Sequence, residues 1–346
     1  MINSNNKGIA IWLLCGCFLI FCMVVIGGIT RLTGSGLSIT EWTPIMGTIP
    51  PLNNEEWQIA FQKYQQIPQF QKINYNFQLE DFKSIFWWEF IHRLLGRFIG
   101  IVFIVPFLWF YFKGRFDKKT LKKVLFLFFL GGLQGVIGWL MVKSGLSERT
   151  SVSHIRLSLH LITAFFTFGF TLYFALEILL EKINSSSEKI TRRLINILFS
   201  TVTIQIIYGA FVAGLHAGNI YNTFPLMNGK IIPEGLFYLD PAWINFFDNQ
   251  VLVQFIHRFL AGAIVLLSGF IFYPLLKSSI NSYQKKGILF FLSVLCLQIT
   301  LGVATLLTSV NITLAILHQA AAFVLFSASV FLIYIFRAGR LTQGLK

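Results

Sequence analysis

Eight runs of about twenty apolar residues divide this chain, and each is long enough to cross the hydrocarbon core of a bilayer. They lie near Ile9–Ile29, Trp87–Phe112, Val124–Val142, Leu157–Leu180, Ile195–Ala213, Val251–Leu276, Gly287–Leu307 and Ile312–Phe336. Unalternating runs of this length span lipid only as helices, because their backbone polar groups must be satisfied within the segment. Hydrophobic residues make up 55% of the chain and charged residues 12%, so most of its length is committed to these spans. The expected fold class is an all-α polytopic membrane protein with eight transmembrane helices.

The formal charge of +14 is a question of topology. With the N-terminus on the cytoplasmic side, the inner segments hold 17 Lys/Arg, among them Lys118, Lys119, Lys122, Lys123, Arg192, Arg193, Lys285 and Lys286. The outer segments hold 8 Lys/Arg against 9 acids. This positive-inside asymmetry predicts both termini in the cytoplasm, and the basic excess requires no nucleic-acid partner. Met1–Lys7 is short and weakly charged for a transit peptide, and the first apolar run lacks a small-residue cleavage site, so it reads as a mature span. The expected location is a bacterial cytoplasmic (inner) membrane, with the lipid bilayer itself as a partner. Cys15, Cys17, Cys22 and Cys296 all fall inside spans, where they read as small apolar residues and form no outer-loop disulfide.

The chain repeats itself across the polar segment Glu181–Arg193. Span 2 contains Glu-Phe-Ile-His-Arg-Leu-Leu-Gly (Glu89–Gly96), and span 6 contains Gln-Phe-Ile-His-Arg-Phe-Leu-Ala (Gln254–Ala261). Span 3 has Leu133-Gln134 and then Gly138; span 7 has Leu297-Gln298 and then Gly302. Span 4 opens on Leu157-Ser158-Leu159-His160 and span 8 on Ala315-Ile316-Leu317-His318. A weaker match joins the loops, through Thr43-Pro44-Ile45-Met46 and Phe224-Pro225-Leu226-Met227. Four spans per half give both halves one orientation, a parallel repeat. The expected halves are residues 1–184 and 185–346, each a four-helix bundle. The two long loops, Arg31–Phe86 and Gly214–Gln250, fall outside and carry Trp42, Trp57 and Trp243, which fit interfacial caps.

Of the six histidines, His92, His160, His257 and His318 lie a few residues inside the outer end of an even-numbered span. Each has a small residue four positions later on its own helix face: Gly96, Ala164, Ala261 and Ala322. Burying a polar ring in a span is costly, so four at one depth point to a ligand, and paired histidines in a bundle suit haem. Hydrogen-bonded packing, zinc and a proton relay are the alternatives; acids and thiols are poorly placed for a closed zinc site. His154 and His216 have no repeat partner and read as solvated or interfacial.

Arg93 and Arg258 follow the histidines directly and suit haem propionates, or else snorkel to the outer headgroups. Arg97 can do the same or pair with Glu89. Glu89 lies within a span, three positions before His92 and on its face, where the second half has the neutral Gln254. An acid beside one site only suggests chemistry in the first half, by proton transfer. A structural partnership with an arginine such as Arg93 is the other reading.

The chain resembles the haem A synthase family. The resemblance covers nearly the whole length and rests on Gly27-Gly28-Ile29-Thr30-Arg31-Leu32-Thr33-Gly34-Ser35-Gly36-Leu37-Ser38 with Glu41-Trp42, on Trp88-Glu89-Phe90-Ile91-His92-Arg93, on Arg156–Leu161, on Phe255–Arg258 and on Leu317-His318-Gln319. It implies two pseudosymmetric four-helix bundles. It implies that His257 and His318 are axial ligands of a resident haem b, with Arg258 beside them. His92 and His160, with Arg93, match the half that handles substrate haem, and Glu89 matches a carboxylate implicated in catalysis. The implied reaction oxidises a ring methyl of haem O to a formyl group, through successive hydroxylations and loss of water from a geminal diol. The implied partners are haem O, an electron acceptor of unidentified kind, haem O synthase and cytochrome oxidase assembly factors. Outer-loop cysteine pairs found in many bacterial members are absent, as in the form shared by proteobacteria and mitochondria, so the chain offers no pair to a mechanism that needs a loop dithiol. A di-haem cytochrome b that only passes electrons is the competing function, and a haem-free transporter a third.

Overall fold

A computed structural model describes residues 4–42, 46–147, 149–180 and 187–337. These residues form eleven α-helices: α1 (Ser4–Leu32), α2 (Asn54–Gln65), α3 (Pro68–Lys72), α4 (Leu79–Phe112), α5 (Lys118–Lys143), α6 (His154–Leu179), α7 (Lys189–Gly214), α8 (Asn245–Asp248), α9 (Gln250–Lys277), α10 (Ser282–Leu307) and α11 (Ile312–Ile335). Eight of them, α1, α4–α7 and α9–α11, are long and apolar enough to cross a membrane. The fold class is therefore that of an all-α polytopic membrane protein, as the apolar runs require. The Thr43-Pro44-Ile45 part of the loop repeat and the boundary at residues 184 and 185 lie outside the described residues.

Polar caps set where the spans begin. Asp117 accepts from Thr120 N at 2.6 Å to start α5, Asn281 from Gln284 N to start α10, and Asn311 from Leu314 N to start α11. The bond from the Thr120 amide, then that from its hydroxyl, hold the Asp117 carboxyl below the usual carboxylate range. Helix α4 starts eight residues before the apolar run at Trp87, because the Asp81 carboxylate accepts from Gln78 N and Glu80 and Asp81 favour the positive end of the helix. At 34 residues it is about 50 Å long, so its first turns stand above the hydrocarbon core. His92 is accordingly the fourteenth residue of its helix, whereas His160, His257 and His318 are the seventh or eighth of theirs.

By compactness the chain forms two units. One comprises residues 15–168 and 213–216, the other residues 1–14, 169–212 and 217–346. In the second unit one end of four helices closes into a solid core: Ile195, Leu198 and Val202 of α7, Ile271 and Phe272 of α9, Ile288 and Phe291 of α10, and Leu332 and Tyr334 of α11. Its histidines lie toward the other end of the same helices. In the first unit the connection between α1 and α4 builds a core with the start of α4, from Leu37, Trp57, Phe61, Tyr64, Phe82, Phe86 and Phe90. Trp57 is thus buried against Phe86, with ring centroids 4.9 Å apart, and does not face an interface as its loop position suggested. Trp42 and Trp243 are exposed.

Candidate haem sites

Each of the four paired histidines meets a glycine of the preceding long helix. A Cβ on Gly27 of α1 would stand 3.2 Å from His92 Nε2 of α4, and one on Gly138 of α5 3.0 Å from His160 Cε1 of α6. In the other unit, a Cβ on Gly209 of α7 would stand 3.2 Å from His257 Cε1 of α9, and one on Gly302 of α10 2.8 Å from His318 Cε1 of α11. A methyl at Gly302 would force the ring to shift, and one at the other three would crowd it by a few tenths of an ångström. His92 and His160 are within electrostatic range of one another, as are His257 and His318. The structure therefore brings the four histidines together in two pairs, each inside one compact unit.

Glutamines hold the rings. Gln134 Nε2 lies 3.1 Å from His160 Nδ1 and also donates to the His160 carbonyl at 2.9 Å. Gln298 and Gln205 approach His318 and His257 at 3.4 Å. Counting from the matched glycines, the first-half position equivalent to Gln205 is Met23, whose methyl lies 3.3 Å from a Cβ built on Gly96. The space beneath His92 that Gly96 offers is thus filled by a flexible thioether side chain. Gln205, Met23 and Gly209 carried no signal in the sequence, and Gly27 entered only within the motif that carries the family resemblance. The pairing of Gln134-Gly138 with Gln298-Gly302 was visible as a repeat, but not its role beneath the rings.

The residues beside the histidines differ between halves. Glu89 is 2% exposed and its carboxylate accepts four hydrogen bonds. Ser38 Oγ and Ile39 N donate to Oε2 at 2.7 and 2.9 Å; Arg93 Nε and Nη2 donate to Oε1 at 3.0 and 2.6 Å. Arg93 also donates to the carbonyls of Ile39 and Glu41 and stacks over Trp42 at 5.4 Å. Glu89 is not alone among acids within the spans: Glu177 lies in α6 near its C-terminal end, seventeen residues past His160. In the second half, Gln254 Nε2 and Arg258 Nη2 both donate to the Tyr221 carbonyl, at 3.0 and 2.9 Å. Arg258 Nε and Nη1, Gln254 Oε1, and the Nδ1 atoms of His257 and His318 are buried with no hydrogen-bond partner among the described residues.

These features fit a haem. Each unit has a histidine pair that could ligate an iron, glycines leave the rings room, and unsatisfied guanidinium N–H groups match a carboxylate. Among the described residues no group of three or more His, Cys, Asp or Glu side chains converges as a closed metal site would require.

The other two histidines are placed by Gly214 and Arg31. His154 begins α6 and is buried, not solvated as its loop position suggested, with its Cβ 2.4 Å from a Cβ built on Gly214. His216 is exposed. Arg31 Nη2 lies 3.0 Å from its Nε2 and donates to the Ala213 carbonyl at 2.8 Å, capping the last turn of α7. Burial first, then the Arg31 charge, hold the His216 ring below the usual histidine range.

Residues 10–330 match the model of a family described as cytochrome oxidase assembly protein. The chain belongs to this family. Curated relatives agree with the match from end to end. The protein named heme A synthase in Nitrosospira multiformis is 46% identical over 327 residues, 94% of this chain and 92% of the relative. The one so named in Flavobacterium johnsoniae is 45% identical over 336 residues, 96% of this chain and 98% of the relative. The one in a Wolbachia of Culex pipiens is 44% identical over 94% of this chain.

Proposed function

We infer that this protein is a haem A synthase, an oxidoreductase that takes haem O from the membrane and oxidises a ring methyl to a formyl group for cytochrome oxidase. One observation carries this beyond family membership. The two histidine pairs share flanking glycines and a glutamine against one ring, yet only one pair has an acid beside it. A di-haem electron carrier would use both clefts alike and has no need of Glu89 at one of them.

The N-terminal half, residues 1–184, is the substrate half, and residues 185–346 hold a resident haem b. In the resident half, His257 and His318 would hold the iron, and Gln205 and Gln298 orient their rings. Haem b there would supply a one-electron carrier. In the substrate half, His92 and His160 position haem O, with Gly27 and Gly138 admitting the rings. Glu89, one turn from His92, receives protons released as the methyl is oxidised or balances positive charge that develops there. Ser38, the Ile39 amide and Arg93 aim its oxygens. The electrons leave to an acceptor of a class the site does not name; haem O synthase and assembly factors are the expected neighbours. Both termini lie on the cytoplasmic side of a bacterial inner membrane.

The test is chromatography of haems extracted from membranes that contain this protein and a haem O source. Haem A is expected; haem O and haem b alone would overturn the assignment. Glu89→Gln should keep the resident haem spectrum and accumulate haem O or a partly oxidised intermediate, with turnover lower by about 10²–10⁴-fold.

A further inference from the structure

We propose that the residue three positions before the first histidine of each cleft, Glu89 or Gln254, decides whether that cleft keeps its haem or releases it. This rests on the reading that each histidine pair holds a haem. Haem carries two propionate carboxylates, and a buried arginine is the strongest clamp a protein can offer them. The halves treat that arginine in opposite ways. Arg93 is bound by Glu89 through two N–H groups and by the Ile39 and Glu41 carbonyls, which uses four of its five donors. Its charge is already matched, at 2.6 Å, by a carboxylate that is 3% exposed. Arg258 donates to one carbonyl, that of Tyr221, which the neutral Gln254 amide also reaches, and its Nε and Nη1 are buried and unsatisfied.

A carboxylate arriving at Arg258 meets an uncompensated cation in a low-dielectric setting. The same carboxylate arriving at Arg93 must displace Glu89. Glu89 thus acts as an internal substitute for a propionate. It weakens the grip of the first cleft, which must let its product go, while Gln254 leaves the second cleft free to hold its haem permanently. In this role Glu89 is a positioning residue, whatever it also does to the substrate.

The experiment measures haem loss from the purified full-length protein, loaded with two equivalents of haem b, to excess apomyoglobin. Wild type should lose haem in a fast and a slow phase. His92→Ala should remove the fast phase and His257→Ala the slow one. Gln254→Glu should then accelerate the slow phase about ten- to a hundredfold, the worth of one charge-assisted pair. Gln254→Leu, which removes the amide without adding charge, should change it by less than about threefold on the same reasoning. Arg258→Gln should accelerate the slow phase as Gln254→Glu does, and the double variant should go no faster than Arg258→Gln. Glu89→Gln should slow the fast phase by about tenfold, because Arg93 becomes available. If Gln254→Glu folds and binds haem but leaves the slow phase unchanged, or if Gln254→Leu matches it, the proposal is wrong. Should Gln254→Glu fail to fold, an unchanged fast phase in Glu89→Gln overturns it equally. If no histidine variant alters haem content, the haem-site reading itself has failed, a different result from either.

Discussion

Gly302 and His318 are in contact so close that one methyl group would end it: a Cβ on Gly302 would stand 2.8 Å from the His318 ring. Gly138 and His160 repeat the relationship in the other unit at 3.0 Å. A bulkier residue on α10 must push the imidazole or the helix aside, and overpacking of this kind typically costs about 1–3 kcal/mol. Gly302→Ala should therefore lower the amount of haem that His318 retains by more than half, read from the absorbance of the purified protein against its concentration. Gly131→Ala, on α5 with nothing within 4 Å of the added methyl, should leave haem content unchanged. Equal effects from the two would show that the glycine at the ring is ordinary helix packing.

Ser38 donates the shortest of the two bonds to Glu89 Oε2, from a loop that the sequence alone leaves unconnected to the site. Removing a buried donor to a carboxylate typically costs about 1–3 kcal/mol. Ser38→Ala should reduce conversion of haem O about tenfold or more while leaving resident haem in place. Ser38→Thr keeps the hydroxyl and should recover much of the loss. The measurement is the ratio of haem A to haem O in membrane extracts, and a normal ratio in Ser38→Ala would remove Ser38 from the aiming of Glu89.

His216 accepts from Arg31 as a neutral ring, and its folded pKa is depressed by burial and then by that charge. A group of this sign contributes stability that is present above the unfolded value near 6.5 and is lost as pH falls. Below about pH 6.5 the unfolded chain takes up a proton that the folded chain resists. Thermal stability of the purified protein should therefore drop between pH 7.5 and pH 5.5, and His216→Asn should flatten part of that drop. Asparagine suits the left-handed backbone here, at φ 54°, so the variant does not add strain. An unchanged pH dependence in the variant would show that other groups govern it.

The charge asymmetry of the loops predicts opposite sides for the α4–α5 connection and the loop between α7 and α9. Reporter fusions at Lys119 and Asn228 should show the first in the cytoplasm and the second outside. Both on one side would overturn the proposed orientation of the spans.

The fold was legible because hydrophobicity over twenty residues is a strong local signal, and all eight spans appear close to where their apolar runs lie. The ends were less so. Helix α4 begins at Leu79 because of a polar cap, which hydropathy does not register. The histidine pairs were visible as a repeat in depth and in neighbours. What surrounds them was not: Gly27, Gly209 and Gln205 act across helices, and a contact between helices leaves no fixed spacing in one chain. Trp57 and His154 were misplaced for the same reason. A loop position says nothing about burial when the loop, as between α1 and α4, folds a core of its own.

Glu89 and Gln254 occupy matching places in a repeated unit, and codons for glutamate and glutamine differ in their first base alone. In a chain that arose by duplication, the two halves therefore need not have diverged through gradual remodelling of a pocket. If Glu89 and Gln254 set haem retention, a single base separates a site that passes its haem on from one that keeps it. The step is reversible at either end of the gene, so the division of labour between the halves is among the cheapest features of this protein for mutation to acquire or erase.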